Sequence, residues 1–346
     1  MKTNIIHMYR KTFIEINAEN LKYNVETLVK NYPDYKYYIG AVKGNAYGHG
    51  WKVVKSLIDA GINYLAVSTL EEALSVRNEG ITLPILCLQP MHIEDISDAV
   101  KNNITITLSN FDYFKELVKL NLDKELKIHL KINSGLNRLG ISSKEEVSEI
   151  FEMLNSTNRF KLEGIYSHFA TTGVGDKRWD DQVSAFKEIT SSIDLKRIPI
   201  VHFGRSLTLL NHDKIDFCNS VRIGVAMYGH PQPVEKGLGI RALLADIKNR
   251  INRNRLKISD TTTDVPFGLK TAFKVYSEII EVRKVKAGDF VGYGAKFKAE
   301  DDCYIGFAPV GYADGFSKRN ANGFVWIRDK RYEILPRSHF DEMPCV

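Results

Sequence analysis

Eight short apolar runs, each followed by a segment of helical period, limit what this chain can fold into more than any other feature of its sequence. The runs are "YYIGAVK" (37–43), "YLAVS" (64–68), "PILCLQ" (84–89), "ITITLS" (104–109), "LKIHLKI" (126–132), "EGIYSHFA" (163–170), "PIVHFG" (199–204) and "SVRIGVAMYG" (220–229). Their length and β-branched content read as buried strands. Between them, segments such as "WKVVKSLIDAG", "LEEALSVRNEG" and "SKEEVSEIFEML" carry apolar residues three and four apart, the signature of a helix with one buried face. Ser68 with Glu71 has the spacing of a capping box. Gly61 and Gly80 stand where helices should stop. Strands alternating with helices in this way predict an α/β fold, a (β/α)8 TIM-type barrel. A doubly wound sheet has the same local alternation, but the G-x-G-x-x-G signature of its dinucleotide-binding form is missing after the first run.

The pattern changes after residue 230. Residues 231–267 are polar and basic and read as a connector or surface insertion. "FKVYSEIIEVRKV", "DFVGYGAKF", "CYIGFAPVGYA" and "GFVWIRDKRYEIL" then alternate, rich in Val, Ile, Tyr and Phe and broken by Gly and Asp. The predicted organisation is a barrel over 18–230, the connector, and a smaller, mostly β domain over 268–346. "TFIEI" (12–16) lies outside the eight runs. The segment 1–17 is therefore expected to pair with the β domain.

Composition excludes several functions. A net charge of +6 over 346 residues, with no Lys/Arg block interleaved with aromatics, gives no nucleic-acid surface. Cys87, Cys218, Cys303 and Cys345 are scattered, which fits neither a zinc site nor a secreted disulfide framework. The start "MKTNIIHMYRKTF" lacks the apolar stretch of a signal peptide, and no run is long enough to span a bilayer. The expectation is a cytoplasmic protein without a membrane partner.

Barrel enzymes work at the carboxyl ends of their strands and often bind phosphate after strands seven and eight. The polar residues at those ends are Lys43, Lys131 with Arg138 just beyond, His168, Ser206, Arg222 and Gly224. Each has a structural reading: Lys43 as a salt-bridged barrel residue, His168 as a hydrogen-bonded core imidazole, Ser206 as a helix cap, Arg222 as an ion-pair partner. Taken together they suit one ligand. An amine bonds an aldehyde, an imidazole lies against an aromatic ring, and a fixed cation faces a ring nitrogen. A hydroxyl at a helix start and a glycine N–H hold a phosphate. That ligand is pyridoxal 5′-phosphate.

Six segments carry a family resemblance. "AVKGNAYGHG", "LKINSGLNRLGI", "IYSHFATT", "SVRIGVAMYG", "VGYGAKF" and "PVGYADGF" occur in the order of the motifs of bacterial alanine racemases, the fold-type III enzymes that use pyridoxal phosphate. The chain resembles them from about residue 12 to about residue 335. The resemblance implies that Lys43 bonds the cofactor and serves as one catalytic base, with Tyr293 of the partner subunit as the other. It implies that Tyr47, Ser206, Gly224 and the backbone of Val225 hold the phosphate, that His168 lies against the ring, and that Arg222 faces its nitrogen. Arg138, Tyr312 and Phe340 are implied to bind the amino-acid substrate. Lys131 is implied to be carbamylated, which would make it an anion that orients Arg138. A homodimer with shared active sites, and a role in making D-alanine for cell-wall peptidoglycan, follow from the same resemblance.

Three features depart from the family pattern. Arg205 stands where asparagine is usual. The 231–267 segment is longer than expected. After "RYEIL" the chain reads "PRSHFDEMPCV", so that Pro336 stands for a glycine, Phe340 for a methionine and Asp341 for the aspartate, and the β domain is expected to be shortened. Racemisation of serine or of a broader set of amino acids, decarboxylation on the same fold, and cofactor binding without turnover are the alternatives to alanine racemisation.

Overall fold

The computed structural model describes residues 10–170, 177–230, 268–317 and 323–335. Phe340, the 231–267 connector and the end of the β domain lie outside the described residues. The chain divides into two compact units, 17–272 in one and 1–16 with 273–346 in the other.

The chain begins with β1 (Phe13–Ile16) and α1 (Ala18–Asn31) and then builds a barrel. Its strands are β2 (Tyr37–Ala41), β3 (Tyr64–Val67), β4 (Ile85–Cys87), β5 (Ile104–Leu108), β6 (Leu126–Lys131), β7 (Phe160–Tyr166), β8 (Ile200–His202) and β9 (Ser220–Ile223). Each apolar run of the sequence supplies one strand. All pair in parallel, and β9 returns to β2 through Tyr37↔Ser220 to Gly40↔Ile223, closing the cylinder. Between the strands lie α2 (Lys43–Tyr47), α3 (Val54–Asp59), α4 (Leu70–Asn78), α5 (Ile96–Lys101), α6 (Phe111–Leu117), α7 (Lys144–Asn155), α8 (Lys177–Ile189) and α9 (Ser206–Asn211). Parallel strands put every carboxyl end at one rim, and this is what gathers distant parts of the sequence.

Ile39, Tyr64, Ala66, Leu86, Tyr166 and Ile200 form one cluster of the barrel core. Burying a large apolar side chain contributes about 1.5–3 kcal/mol. The helices start on side-chain caps: Asn17 accepts from the Asn20 N–H, Asn110 from Tyr113 and Ser143 from Glu146. On α4 the cap falls one residue later than the Ser68–Glu71 spacing predicts. Thr69 Oγ1 accepts from the Glu72 N–H at 3.3 Å, and the Glu72 carboxylate reaches back to the Ser68 N–H at 2.7 Å. The Ser68 N–H therefore belongs to the end of the strand, and Thr69 starts the helix.

Asn24 closes this unit. Its amide nitrogen donates to the carbonyls of Met227 and Lys270, and its oxygen accepts from the Lys270 N–H. A Cβ on Gly229 (φ +76) would lie 2.0 Å from the Lys270 carbonyl oxygen, so only glycine allows the two flanks of the 231–267 segment to meet there. No helix among the described residues is long and apolar enough to cross a membrane.

The other unit is antiparallel. Its remaining strands are β10 (Phe273–Tyr276), β11 (Glu281–Val285), β12 (Phe290–Val291), β13 (Phe297–Lys298), β14 (Cys303–Phe307), β15 (Phe324–Ile327) and β16 (Lys330–Glu333). β1 pairs with β10, β11 with β14, β12 with β13 and β15 with β16. Val285, Ala299 and Ile305 are its buried apolar centre. The Arg10 guanidinium grips both Asp314 oxygens at 2.6 and 2.7 Å.

Candidate active site

Lys43 follows β2 by two residues, at the carboxyl rim, and its side chain is exposed. The turn it opens runs left-handed: Gly44, Asn45, Ala46, Tyr47 and Gly48 all have φ between 53° and 82°. Each non-glycine residue in that conformation costs about 1–2 kcal/mol. The turn is held by N–H bonds from Ala46 to the Val42 carbonyl, Gly48 to Gly44 and Gly50 to Asn45. The His49 ring packs on Tyr228 at 4.5 Å, and Tyr47 packs on the same ring at 5.2 Å.

This turn brings the Tyr47 hydroxyl to the end of β9, the strand paired with β2. A Cβ built on Gly224 would meet Tyr47 Oη at 3.2 Å. The Gly224 N–H donates to Ser206 Oγ at 2.8 Å, so Ser206 is not the cap of α9 but the partner of a backbone group on the next loop. Val225 sits in the following turn, where its carbonyl accepts from Tyr228 and His230. Phenol, hydroxyl and glycine thus converge on one small cradle.

Arg222 is a buried cation of the site, 5% exposed. Its guanidinium donates to His168 Nδ1 at 3.0 Å, to the carbonyls of Ser167 and Phe203 at 2.8 and 3.1 Å, and to His202 Nδ1. Every acceptor is neutral. Burial lowers the Arg222 pKa to about 10, so the group remains a cation at neutral pH. His168 is pushed down to about 2, by burial first and then by Arg222, Arg205, Arg138 and Lys131. Its imidazole is neutral, accepts at Nδ1 and carries its hydrogen on Nε2.

Lys131 ends β6, 4% exposed, with its ammonium 5.4 Å from the Tyr166 ring. Burial lowers its pKa to about 8, helped by Arg138, Arg222 and Lys43. No carboxylate among the described residues pairs with Lys131, Arg138 or Arg222. Arg138 is exposed, on a loop stitched to the strand end by the Asn133 N–H to the Ile141 carbonyl and the Ile141 N–H to the Lys131 carbonyl, both 2.9 Å. Arg205 sits beside this group. Its charge acts on Tyr47, His168 and Arg138, and its Nε is buried without a hydrogen bond.

The barrel unit therefore brings together Lys43, Tyr47, Lys131, Arg138, His168, Ser206, Arg222, Gly224 and Val225. Tyr293 and Tyr312 belong to the other unit. Tyr293 opens a turn with Gly292 and Gly294 at φ +76 and +70. Tyr312 opens a turn pinned by the Gly311 N–H on Asp314 at 2.8 Å.

Sequence reasoning missed the groups behind Arg222. His202 accepts from Arg222 at Nδ1, so its Nε2–H donates to His129 Nδ1 at 3.0 Å. His129 Nε2 then faces Glu163 Oε2 at 3.4 Å, a charge–dipole contact rather than a good hydrogen bond. Burial pushes the Glu163 carboxyl up, but His129, Tyr64 and Thr105 outweigh it and bring it down to about 2. The signal was present in "LKIHLKI": His129 stands two residues before Lys131, on the same face of β6.

Fold and site together define the class, an α/β barrel whose carboxyl rim carries an amine and a set of cations without a carboxylate partner among the described residues. Its relatives narrow that class. Residues 16–232 match the family description "Alanine racemase, N-terminal domain" and residues 272–343 "Alanine racemase, C-terminal domain". Alanine racemase 1 of Bacillus subtilis is 32% identical over 337 residues, 96% of this chain and 79% of that protein. The alanine racemase of Geobacillus stearothermophilus is 33% identical over 338 residues, covering 96% and 80%. The crystal structure of alanine racemase from E. faecalis superposes with a TM-score of 0.84 at 27% identity, over 99% of this chain and 86% of that one. A histidine racemase from Leuconostoc mesenteroides, at 23% identity and a TM-score of 0.81, shares the fold. The chain belongs to the alanine racemase family.

Proposed function

We propose that the protein interconverts L- and D-alanine with pyridoxal 5′-phosphate, and that the D-alanine serves peptidoglycan synthesis. The observation that carries this reading is Arg222, which meets no carboxylate among the described residues, beside a neutral imidazole and the Tyr47–Ser206–Gly224 cradle. The residues fit the cofactor. A Cβ at Gly224 would crowd Tyr47, so the bare backbone leaves room for a phosphate, and Ser206, Tyr47 and the Val225 backbone complete its donors. His168, neutral, suits the face of a ring. Arg222 holds its own proton and donates, so a ring nitrogen facing it stays unprotonated.

When bound, the cofactor supplies an electron sink that acidifies the substrate Cα–H. The chain's residues do the rest. Arg138 binds the substrate carboxylate. Lys43 takes or returns the Cα proton on one face, and Tyr293 of the partner subunit does so on the other, in a homodimer with shared sites. A phenol with a reference pKa of about 10 needs cationic surroundings to act as a base. Tyr312 of the partner subunit, together with Phe340, takes part in binding the substrate. Lys131, converted to a carbamate, orients Arg138.

The test is incubation of L-alanine in deuterated water with added cofactor, run beside serine and a panel of other amino acids. The expected product is D-alanine with deuterium at Cα, lost in Lys43→Ala. Borohydride should leave a pyridoxyl group on Lys43. Faster exchange with serine would reassign the substrate, and cofactor uptake without any exchange would reduce the protein to a binder.

A further inference from the structure

The amine of Lys43 has to point into the site from a backbone that has already left the barrel ladder. One side of the residue is fixed by the sheet: the Val42 N–H donates to the Ala66 carbonyl at 2.9 Å. The other side enters the left-handed turn. The turn's own bonds run from Ala46 to Val42 and from Gly48 to Gly44, and they leave the Gly44 N–H to a side chain. That side chain is Glu72, whose Oε1 accepts from Gly44 at 2.7 Å. Its other oxygen accepts from the Ser68 N–H, also at 2.7 Å.

One carboxylate therefore ties the ends of β2 and β3 together. A glutamate at the third position of a helix ordinarily turns back to its own cap. Here the Thr69 hydroxyl performs the capping, and Glu72 spans to the neighbouring strand. Bonds to an ionised acceptor are short and roughly twice as strong as neutral ones. Glu72 makes two of them, one at the start of the left-handed turn and one at the end of β3.

We propose that Glu72 is the positioning residue for Lys43. Its carboxylate fixes the Lys43–Gly44 peptide, and with it the direction of the lysine side chain. The proposal rests on Lys43 being the amine that takes the cofactor. Glu72 does not touch the reacting atoms; it acts through the backbone of the residue that does.

Amide hydrogen exchange on the cofactor-free protein tests the tether directly. In Glu72→Ala, exchange at Gly44 should quicken by about tenfold or more, while barrel amides such as Leu65 and Ile106 stay within about twofold. Glu72→Gln keeps the shape but can satisfy only one of the two donors, and should fall between. With cofactor added, borohydride trapping on Lys43 should slow in the same order. The pH midpoint of the visible absorbance of the linked cofactor should move, which loss of stability alone does not do. Glu72→Asp, which keeps the charge, should recover part of the effect. Unchanged exchange at Gly44 in Glu72→Ala, or equal loss of protection throughout the barrel, overturns the proposal. A wild-type protein that takes up no cofactor while its Gly44 exchange still depends on Glu72 refutes the cofactor reading and supports the tether.

Discussion

At the scale of single residues, the surroundings of Lys131 oppose its charge. It is buried, it faces Arg138, Arg222 and Lys43, and its pKa falls to about 8. As an ammonium it adds a positive charge to three others, and Arg138 gains nothing to lean on. As a carbamate it becomes the missing anion. Only the neutral amine reacts with carbon dioxide, and a pKa near 8 makes that form available at physiological pH, where an ordinary lysine is almost wholly charged. Activity should therefore fall in buffer stripped of carbon dioxide and recover with bicarbonate, and the intact mass should gain one carboxylate at Lys131. Lys131→Ala should lower kcat/KM by about 10- to 100-fold, or 1.4–2.7 kcal/mol of transition-state binding, with partial rescue by a small added carboxylate. Equal activity with and without bicarbonate argues for a plain lysine.

At the scale of the element, the loop between β6 and α7 decides where Arg138 stands. It closes because Gly140 takes φ +121 and because nothing projects from it: a Cβ there would lie 2.6 Å from the Asn133 nitrogen. Gly140→Ala forces the two strands of the loop apart and breaks the Ile132↔Ile141 bridge. The expected cost is about 1–3 kcal/mol in urea unfolding, with a rise in KM for alanine larger than the fall in kcat. A change in stability with KM untouched would separate the loop from substrate binding. The same loop shows what sequence can reveal. Its strand was legible in the alternation of "LKIHLKI", and Lys131 and Arg138 were legible as rim residues because parallel strands send all their ends one way. The left-handed turn was not. Three glycines announce freedom of conformation, but Asn45, Ala46 and Tyr47 follow them into φ near +54, and alanine has no local preference for that region. Tertiary bonds impose it. Glu72 escaped notice for the same reason, since its partner lies 28 residues away. His129 and His202 were hidden in apolar strands, where an imidazole reads as filler until its neighbours are known.

Over the whole molecule, the buried imidazoles should make the fold sensitive to acid. His129, His168 and His202 sit in or under the site, and His212 stacks on Trp179 at 3.8 Å outside it. Burial is the first cause of depression in all four: His168 is taken to about 2, His212 to about 4, and His129 and His202 are lowered as well. The unfolded chain binds these protons from about pH 6.5 downward, whereas the folded chain refuses them. Stability that is complete above pH 6.5 is therefore lost as the pH falls, and each refused proton contributes a slope of about 1.4 kcal/mol per pH unit. His168 and His212 together give roughly 3 kcal/mol per unit, and the lowered His129, His202 and His49 act in the same direction, against a total stability of about 5–15 kcal/mol. Between pH 5 and 6.5 Glu163 adds nothing, since its carboxyl is ionised both folded, at about 2, and unfolded. Below that range it acts in the same direction. Urea midpoints measured at pH 7.5, 6.5, 6.0 and 5.5 should fall with a slope that grows toward two protons or more. His212→Gln removes one imidazole without touching the site and should flatten that slope by about one proton. A midpoint that is level from pH 6.5 to 5.5 would mean that the folded interior accepts the protons. In that case Arg222 would share its surroundings with imidazolium, and the neutral donors and acceptors proposed around it would have to be reassigned.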